Sequence, residues 1–157
     1  MYAIAVTGPR TLTPEQAKQA EQDLRHLLNT GAPRPVHVGD ATGLDALAAY
    51  LATSHDLTTH HKNRSLPPRA QGAERSTRMV KALAATGGTL HAWPNKPAPA
   101  NLKPSRNWPK NAEGSGTWGT VALAVGLGVK VELHPLTKDA AAPDWLTQAQ
   151  PQAQLQL

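Results

Sequence analysis

The chain of 157 residues contains no cysteine and no phenylalanine, and aromatic residues make up only 4% of it. Without cysteine there is no disulfide, no thiolate metal ligand and no cysteine nucleophile. No apolar run approaches the ~20 residues that span a bilayer, so we expect no membrane partner. The apolar start at residues 2–6 is too short for a secretory signal and lacks flanking basic residues. These absences predict a soluble, cytoplasmic protein.

Recognisable catalytic and metal motifs are also missing from the sequence. There is no Gly-x-Ser-x-Gly elbow, and no histidine has the spacing to another histidine or a carboxylate that is typical of a metal site. His60 and His61 are adjacent, so in a strand they would point to opposite sides. We therefore predict no catalytic residue, no bound metal and no cofactor.

Acidic residues are scarce in one long stretch. Residues 62–110 contain ten of the 16 lysines and arginines but only one of the 11 acidic residues, Glu74. The net charge of the whole chain is +5. Such a bias attracts anions, either small phosphates or nucleic acid.

Apolar runs alternate with amphipathic segments along most of the chain. Short turns separate them, which predicts an α/β fold: a Rossmann-like, doubly wound sheet of about five parallel strands with helices on both faces. The predicted strands are residues 2–6, 36–38, 57–60, 89–93 and 129–134. The predicted helices are residues 14–29, 44–54 and 73–85, and one that begins near 117.

Composition divides the chain further. Residues 1–136 form the predicted nucleotide-binding domain. Within it, residues 94–113 are a basic insertion whose five prolines should prevent regular structure and which could serve as a lid or docking arm. Residues 137–157 are rich in Ala, Pro and Gln and are predicted to be a flexible tail.

Three glycine-bearing turns each follow a predicted strand and precede a helix. Residues 114–117, Gly-Ser-Gly-Thr, open an apolar helix, where unpaired N–H groups and the helix dipole favour a phosphate. The turns at residues 7–10 and 39–43 lie at the same edge of the predicted sheet, where ligands of such sheets bind. Arg75 near a helix start favours a nearby anion, whereas Asp45 is expected to complement a helix dipole.

Four motifs in this order resemble the SLOG superfamily over roughly residues 2–135. They are Val6-Thr7-Gly8-Pro9-Arg10, Gly39 to Ala48, Glu74-Arg75 with Met79, and Gly114-Ser115-Gly116-Thr117. The superfamily comprises Rossmann-like domains of the LONELY GUY cytokinin-activating proteins, of the DNA-processing protein A family, and of small bacterial proteins of unknown function. The chain is most similar to the last group. The resemblance also implies a homodimer.

One departure from that resemblance concerns catalysis. The LONELY GUY phosphoribohydrolases carry a glutamate where this sequence has Thr120, and a threonine cannot serve as a carboxylate base. Glu113 is the remaining carboxylate near the turn. The departure favours a protein that binds its ligand without turning it over.

The sequence therefore predicts a sensor or carrier for a nucleotide or nucleotide-derived phosphate ligand. One alternative is single-stranded nucleic-acid binding, since Trp93 and Trp108 are interleaved with basic residues. A second alternative is nucleotide hydrolysis of the LONELY GUY type. The predicted binding residues are Gly8, Arg10, Gly39, Gly43, Arg75, Gly114, Ser115, Gly116 and Thr117.

Overall fold

Five short strands form one parallel sheet at the centre of the protein, as seen in a computed structural model that describes residues 2–112 and 114–150. The strands are β1 (Ile4–Thr7), β2 (Pro35–Gly39), β3 (Asp56–His60), β4 (Thr89–Ala92) and β5 (Lys130–Leu133). The helices are α1 (Pro14–Asn29), α2 (Leu44–Leu51), α3 (Pro68–Thr86), α4 (Gly116–Gly126) and α5 (Asp144–Ala149). The strand order is β3-β2-β1-β4-β5. The predicted Rossmann-like α/β fold is confirmed.

The helices cover the sheet on both faces, and each face has its own apolar core. Leu24 of α1 and Leu44 of α2 pack with Val6 and Val38 on one side. Leu83 of α3 and Leu123 of α4 pack on the other side with Leu90 and neighbouring residues. The central strand β1 is buried along its whole length between these two layers and is largely apolar, whereas the edge strand β3 is more exposed and more polar.

Local signals fix several helix ends. The Thr13 hydroxyl accepts a hydrogen bond from the Gln16 amide at 3.1 Å, and the Gln16 side chain accepts one from the Thr13 amide at 3.2 Å. This capping box starts α1 where the sequence predicts it. Helix α3, by contrast, begins at Pro68, earlier than the predicted residue 73. Proline suits a first helical turn because it has no N–H to leave unpaired.

The proline-rich insertion, residues 94–113, has neither helix nor strand in its described part, but it is packed against α4. Leu102 is buried, and the Trp108 ring lies against Gly119, where an added Cβ would approach the ring to 2.6 Å. The Ser105 amide donates to the Ala122 carbonyl at 3.3 Å. The missing side chain at Gly119 thus allows the insertion to pack closely against α4.

The C-terminal region differs from the predicted flexible tail over residues 137–150. Ala140 and Leu146 are fully buried, and α5 lies within this segment. The Gln150 side chain accepts from the Val131 amide at 2.7 Å and donates to the Val129 carbonyl at 2.8 Å. Gln150 thus hydrogen-bonds the free edge of β5, which composition alone does not indicate. Residues 151–157 lie outside the described residues.

Within the part of the chain that the structure describes, none of the helices combines the length and the apolar character needed to cross a membrane.

Candidate functional site

A cavity of about 600 Å³ opens at the carboxyl end of the sheet, where β1 and β4 are neighbours. The chain leaves β1 toward β2 on one side, and the strands after β3 are added on the other side. The loops that follow β1 and β4 therefore diverge and leave a crevice between them. The start of α3, the insertion and the turn before α4 supply the remaining walls.

Seven of the nine predicted binding residues line this cavity. They are Gly8, Arg10, Arg75, Gly114, Ser115, Gly116 and Thr117. The fold brings them together from three separate parts of the chain because parallel strands all end at the same edge of the sheet. Their role toward a ligand stays a prediction.

Gly39 and Gly43 are not part of the cavity lining. A Cβ on Gly39 would lie 2.6 Å from the Asp45 carboxylate and 3.0 Å from the guanidinium carbon of Arg75. Gly43 has φ +71° and sits against the Pro9 carbonyl, which a Cβ would approach to 2.4 Å. The missing side chains of both glycines allow neighbouring residues, including lining residues of the cavity, to pack closely against the backbone.

The turn at residues 114–117 forms the N-terminus of α4, as the sequence predicts. The Ser115 hydroxyl accepts a hydrogen bond from the Trp118 amide at 3.2 Å, so this side chain caps the helix. The amides of Gly116 and Thr117 belong to the first turn, which has no intrahelical acceptor for them. The Lys96 ammonium donates to the Gly114 carbonyl and ties the insertion to this turn. The cavity thus has a helix N-terminus in its wall.

The sequence predicts Arg75 near the start of its helix. In the structure it lies in the middle of α3, because α3 begins at Pro68 and not at residue 73. Its side chain is buried and forms an ion pair with Asp40, with 2.6 Å between Nη1 and Oδ1. Its Nε atom is buried without a hydrogen-bond partner among the described residues. Arg78 is likewise paired, at 2.8 Å from Glu74. Neither arginine is a free cation.

Asp45 is the acidic residue of the cavity wall among the described residues. It lies in the first turn of α2, as predicted, but it is also buried, and its carboxylate accepts from the Ala41 amide at 3.3 Å. Burial raises the pKa of Asp45 to about 6, against the opposing effect of the Arg75 charge. A dipole argument alone misses this effect of burial.

Asp40 titrates in the opposite direction. Burial by itself would raise the pKa of Asp40, but hydrogen bonds from the Lys62 amide and from Arg75 outweigh it and lower that pKa. The Lys62 amide lies 3.0 Å from the carboxylate. Asp40 is therefore a stable anion that partly neutralises Arg75 from behind the cavity.

Three exposed cations complete the cavity: Arg10 after β1, Arg69 in the first turn of α3 and Lys96 in the insertion. Sequence reasoning missed Arg69 because it placed the start of α3 beyond it. A sequence signal was present in Pro67-Pro68, since proline favours the first position of a helix. A cation in the first turn of a helix is repelled by the partial positive charge of the helix N-terminus. A bound anion would interact favourably with both positive charges.

Thr120, which the sequence resemblance sets against a glutamate of the LONELY GUY enzymes, is buried inside α4. Its hydroxyl donates to the Gly116 carbonyl at 2.7 Å and does not line the cavity. Glu113, the other carboxylate considered, lies outside the described residues. Among the described residues, Asp45 is thus left as the one carboxylate facing the cavity.

We expect no phosphoribohydrolase activity on nucleoside monophosphates, because the side chain at the motif position carries no carboxylate and is turned into its own helix. Purified protein incubated with AMP should release no adenine above a protein-free blank, as measured by chromatography. Adenine release that is lost in both Arg75→Lys and Glu113→Gln would contradict this expectation.

Comparisons with known proteins give the fold a context. The sequence matches no family model and no curated protein. The structure is similar to that of DNA processing protein A from Helicobacter pylori, described for its unique single-stranded DNA binding mode. The TM-score is 0.60 at 14% identity, over 97% of this chain and 74% of that one.

It is also similar to DNA processing protein A from Streptococcus pneumoniae, with a TM-score of 0.53 and 16% identity. That match covers 94% of this chain and 54% of the other, so the chain spans about half of its length. The protein thus shares the Rossmann-like fold of the DNA processing protein A structures.

Proposed function

We propose that the protein binds single-stranded DNA, with the sugar-phosphate backbone held in the cationic cavity. The observation that carries the proposal is the convergence of Arg10, Arg69 and Lys96 with the N-terminus of α4 on one open cavity. Phosphate groups satisfy both the cations and the free helix amides. The Helicobacter pylori protein of the same fold, described as binding single-stranded DNA, supports the choice of ligand.

Positive charge extends beyond the cavity. Burial, followed by the charges of Arg10 and Arg75, lowers the pKa of Lys62; Arg64 adds to the effect, and the charge of Asp40 opposes it. These cations therefore repel one another in the free protein. A polyanion that lies along them would relieve this repulsion, which a single small phosphate could do only in part.

Trp108 offers a surface for a base. It is half-buried, lines the cavity and is held from behind by Gly119. Bases of any sequence stack on such a ring, and each stacked base is worth about 1–3 kcal/mol in known complexes. Trp118 also lines the cavity but is fully buried, so Trp108 is the tryptophan that could stack on a base, which suits binding without sequence preference.

A nucleotide-type small ligand is the second candidate, and the size of the cavity favours it. Its volume of about 600 Å³ lies within the range of small-molecule sites. The two candidates differ in their dependence on salt, because a strand displaces many counterions and a mononucleotide few. They also differ in how strongly binding should depend on the exposed cations of the cavity, Arg10, Arg69 and Lys96.

The proposal is tested by replacing the three exposed cavity cations together, as Arg10→Gln, Arg69→Gln and Lys96→Gln. A fluorescein-labelled oligothymidylate should bind the wild type, and log K should fall steeply with log salt in anisotropy titrations. Each lost phosphate contact lowers that slope by about 0.7, so the triple variant should lose about 2 from it, with at least a tenfold loss of affinity at low salt.

The matched control is the triple variant Lys18→Gln, Lys81→Gln and Lys138→Gln, which removes the same charge from exposed positions outside the cavity. It should bind nearly as the wild type does. Equal weakening in both variants, or no binding by the wild type at low salt, would refute the proposal. Salt-insensitive binding of AMP in place of the strand would favour the second candidate.

A further inference from the structure

We propose that His91, Glu132 and His134 form a binding site for a divalent transition-metal ion of the Zn²⁺ class. The three side chains lie on β4 and on β5 with the residue that follows it, away from the cavity. They are the one group of this kind among the described residues. The proposed DNA binding uses none of these residues, so the metal site does not depend on it. The site differs from the prediction, made from the sequence, that no metal is bound.

Strand register brings the three residues together. His91 of β4 is paired with Glu132 of β5, so their side chains project from the same face of the sheet. His134 lies two residues further and therefore projects from that face as well. Forty-three residues separate the two histidines in the sequence, which is why no local spacing reveals the group.

The distances suit one ion. His91 Nδ1 lies 3.0 Å from His134 Nε2, within hydrogen-bond distance, and 3.4 Å from Glu132 Oε2. With metal–ligand distances of about 2.1 Å, two ligands on a tetrahedral ion are separated by about 3.4 Å. All three ligand atoms lie within 4.8 Å of one another. Two histidines and a glutamate form a known donor set for zinc, and they leave a fourth position open.

The surroundings hold the ligands in place. The Trp93 ring stacks on His134 with 4.4 Å between centroids and a 15° interplanar angle. The Trp93 indole N–H in turn donates to Asp23 at 3.1 Å. Lys130 lies 3.5 Å from Glu132 Oε1, which leaves Oε2 toward His91. Orientation by such outer contacts is typical of metal ligands.

Each of the three side chains can offer a lone pair to an ion. The donors are one imidazole nitrogen from each histidine and a carboxylate oxygen from Glu132. Glu132 is only partly buried and can move to close the third side of the site.

The chain contains its own matched control on the other half of the sheet. His37 of β2 and His60 of β3 also stack, with 2.9 Å between Nδ1 and Nε2. In the described part of the chain, no carboxylate completes that pair into a group of three ligands. A histidine pair alone and a pair with a glutamate can thus be compared within one protein.

The test uses untagged, chelator-treated protein and Zn²⁺ in calorimetric titrations, with Co²⁺ absorption as a report of tetrahedral geometry. We expect one Zn²⁺ per chain and intense visible bands with Co²⁺. His134→Gln and Glu132→Gln should weaken binding at least tenfold, since loss of even an outer-shell partner costs about 10–100-fold. His60→Gln should bind as the wild type does.

A second readout is thermal stability. Zn²⁺ should raise the melting temperature of the wild type and of His60→Gln, but not that of Glu132→Gln, because an ion that binds only the folded state stabilises it. Glu132→Gln keeps the shape of a partly exposed side chain, so it decides the matter even if His134→Gln does not fold. Absence of Zn²⁺ binding by the folded wild type, or equal binding by Glu132→Gln, would overturn the proposal.

Discussion

Replacement of Arg75 by methionine is expected to lower the free energy of unfolding by about 3–5 kcal/mol, which is typical when one partner of a buried ion pair is removed. Only 10% of the Arg75 side chain and 15% of the Asp40 side chain are exposed. Loss of the guanidinium would leave Asp40 without its 2.6 Å partner and would remove the positive charge that most strongly favours the ionised form of Asp45. Urea unfolding followed by circular dichroism measures the loss.

The control for this prediction is Arg78→Met, three residues along the same helix. Arg78 pairs with Glu74 at the surface, with 41% and 39% of the side chains exposed, so its removal should cost less than about 1 kcal/mol. The double variant Arg75→Met, Asp40→Asn should recover part of the loss, because the abandoned charge is gone. Equal losses in Arg75→Met and Arg78→Met would show that Arg75 is not a buried structural cation.

Replacement of Asp45 by asparagine is expected to stabilise the protein at neutral pH by up to about 3 kcal/mol. The pKa of Asp45 is raised from 3.8 to about 6, mainly by burial, and each pKa unit corresponds to about 1.4 kcal/mol. Between these two values the folded state holds a proton that the unfolded state has lost. The wild type should therefore lose stability as the pH rises from about 4 to about 6, and stay level above that.

Asparagine has the shape of the aspartate and no charge, so the variant should lack this decline and should match the wild type near pH 4. Thermal unfolding from pH 4 to pH 8 measures the difference. Asp40→Asn provides a control of opposite sign, because the pKa of Asp40 is lowered and its charge is stabilising at neutral pH. A wild type more stable than Asp45→Asn at pH 8 would contradict the prediction.

The same substitution bears on the proposed function. Asp45 is the acidic group in the described cavity wall, so its neutral form should favour a bound phosphate. Oligothymidylate should bind the wild type more tightly below pH 6, and Asp45→Asn should show this tighter binding at pH 7 as well. A strand that binds away from the cavity would respond to neither change.

Much of the cavity could be predicted from the sequence. The sequence predicts the turn at residues 114–117 and the loop after Val6 at the carboxyl edge of the sheet, because strands and glycine turns are local signals. Arg75 also lines the cavity, although the helix start predicted beside it was wrong. Parallel strands end at a common edge, so residues that follow different strands must meet there. That topology alone brings Gly8, Arg10 and Gly116 to one cavity.

Local sequence signals did not predict features that depend on a contact with a residue far away in the sequence. Arg75 looks like a free cation until Asp40, 35 residues away, is found beside it. The wall formed by Trp108 depends on contact with Gly119, and proline content by itself says only that the insertion lacks regular structure. Burial of Leu146 likewise fixes residues that composition assigns to a tail.

The sequence by itself determined the fold class, the edge at which the glycine turns meet and the positive charge of the region. Those properties depend on periodicity, turn chemistry and composition, and each of these can be recognised from residues that are close together in the sequence. Only the tertiary structure decided which charges are buried and paired, and that His91 and His134 lie 3.0 Å apart beside Glu132. Register between β4 and β5 and burial between layers arise when distant segments pack, and no short stretch of sequence contains them.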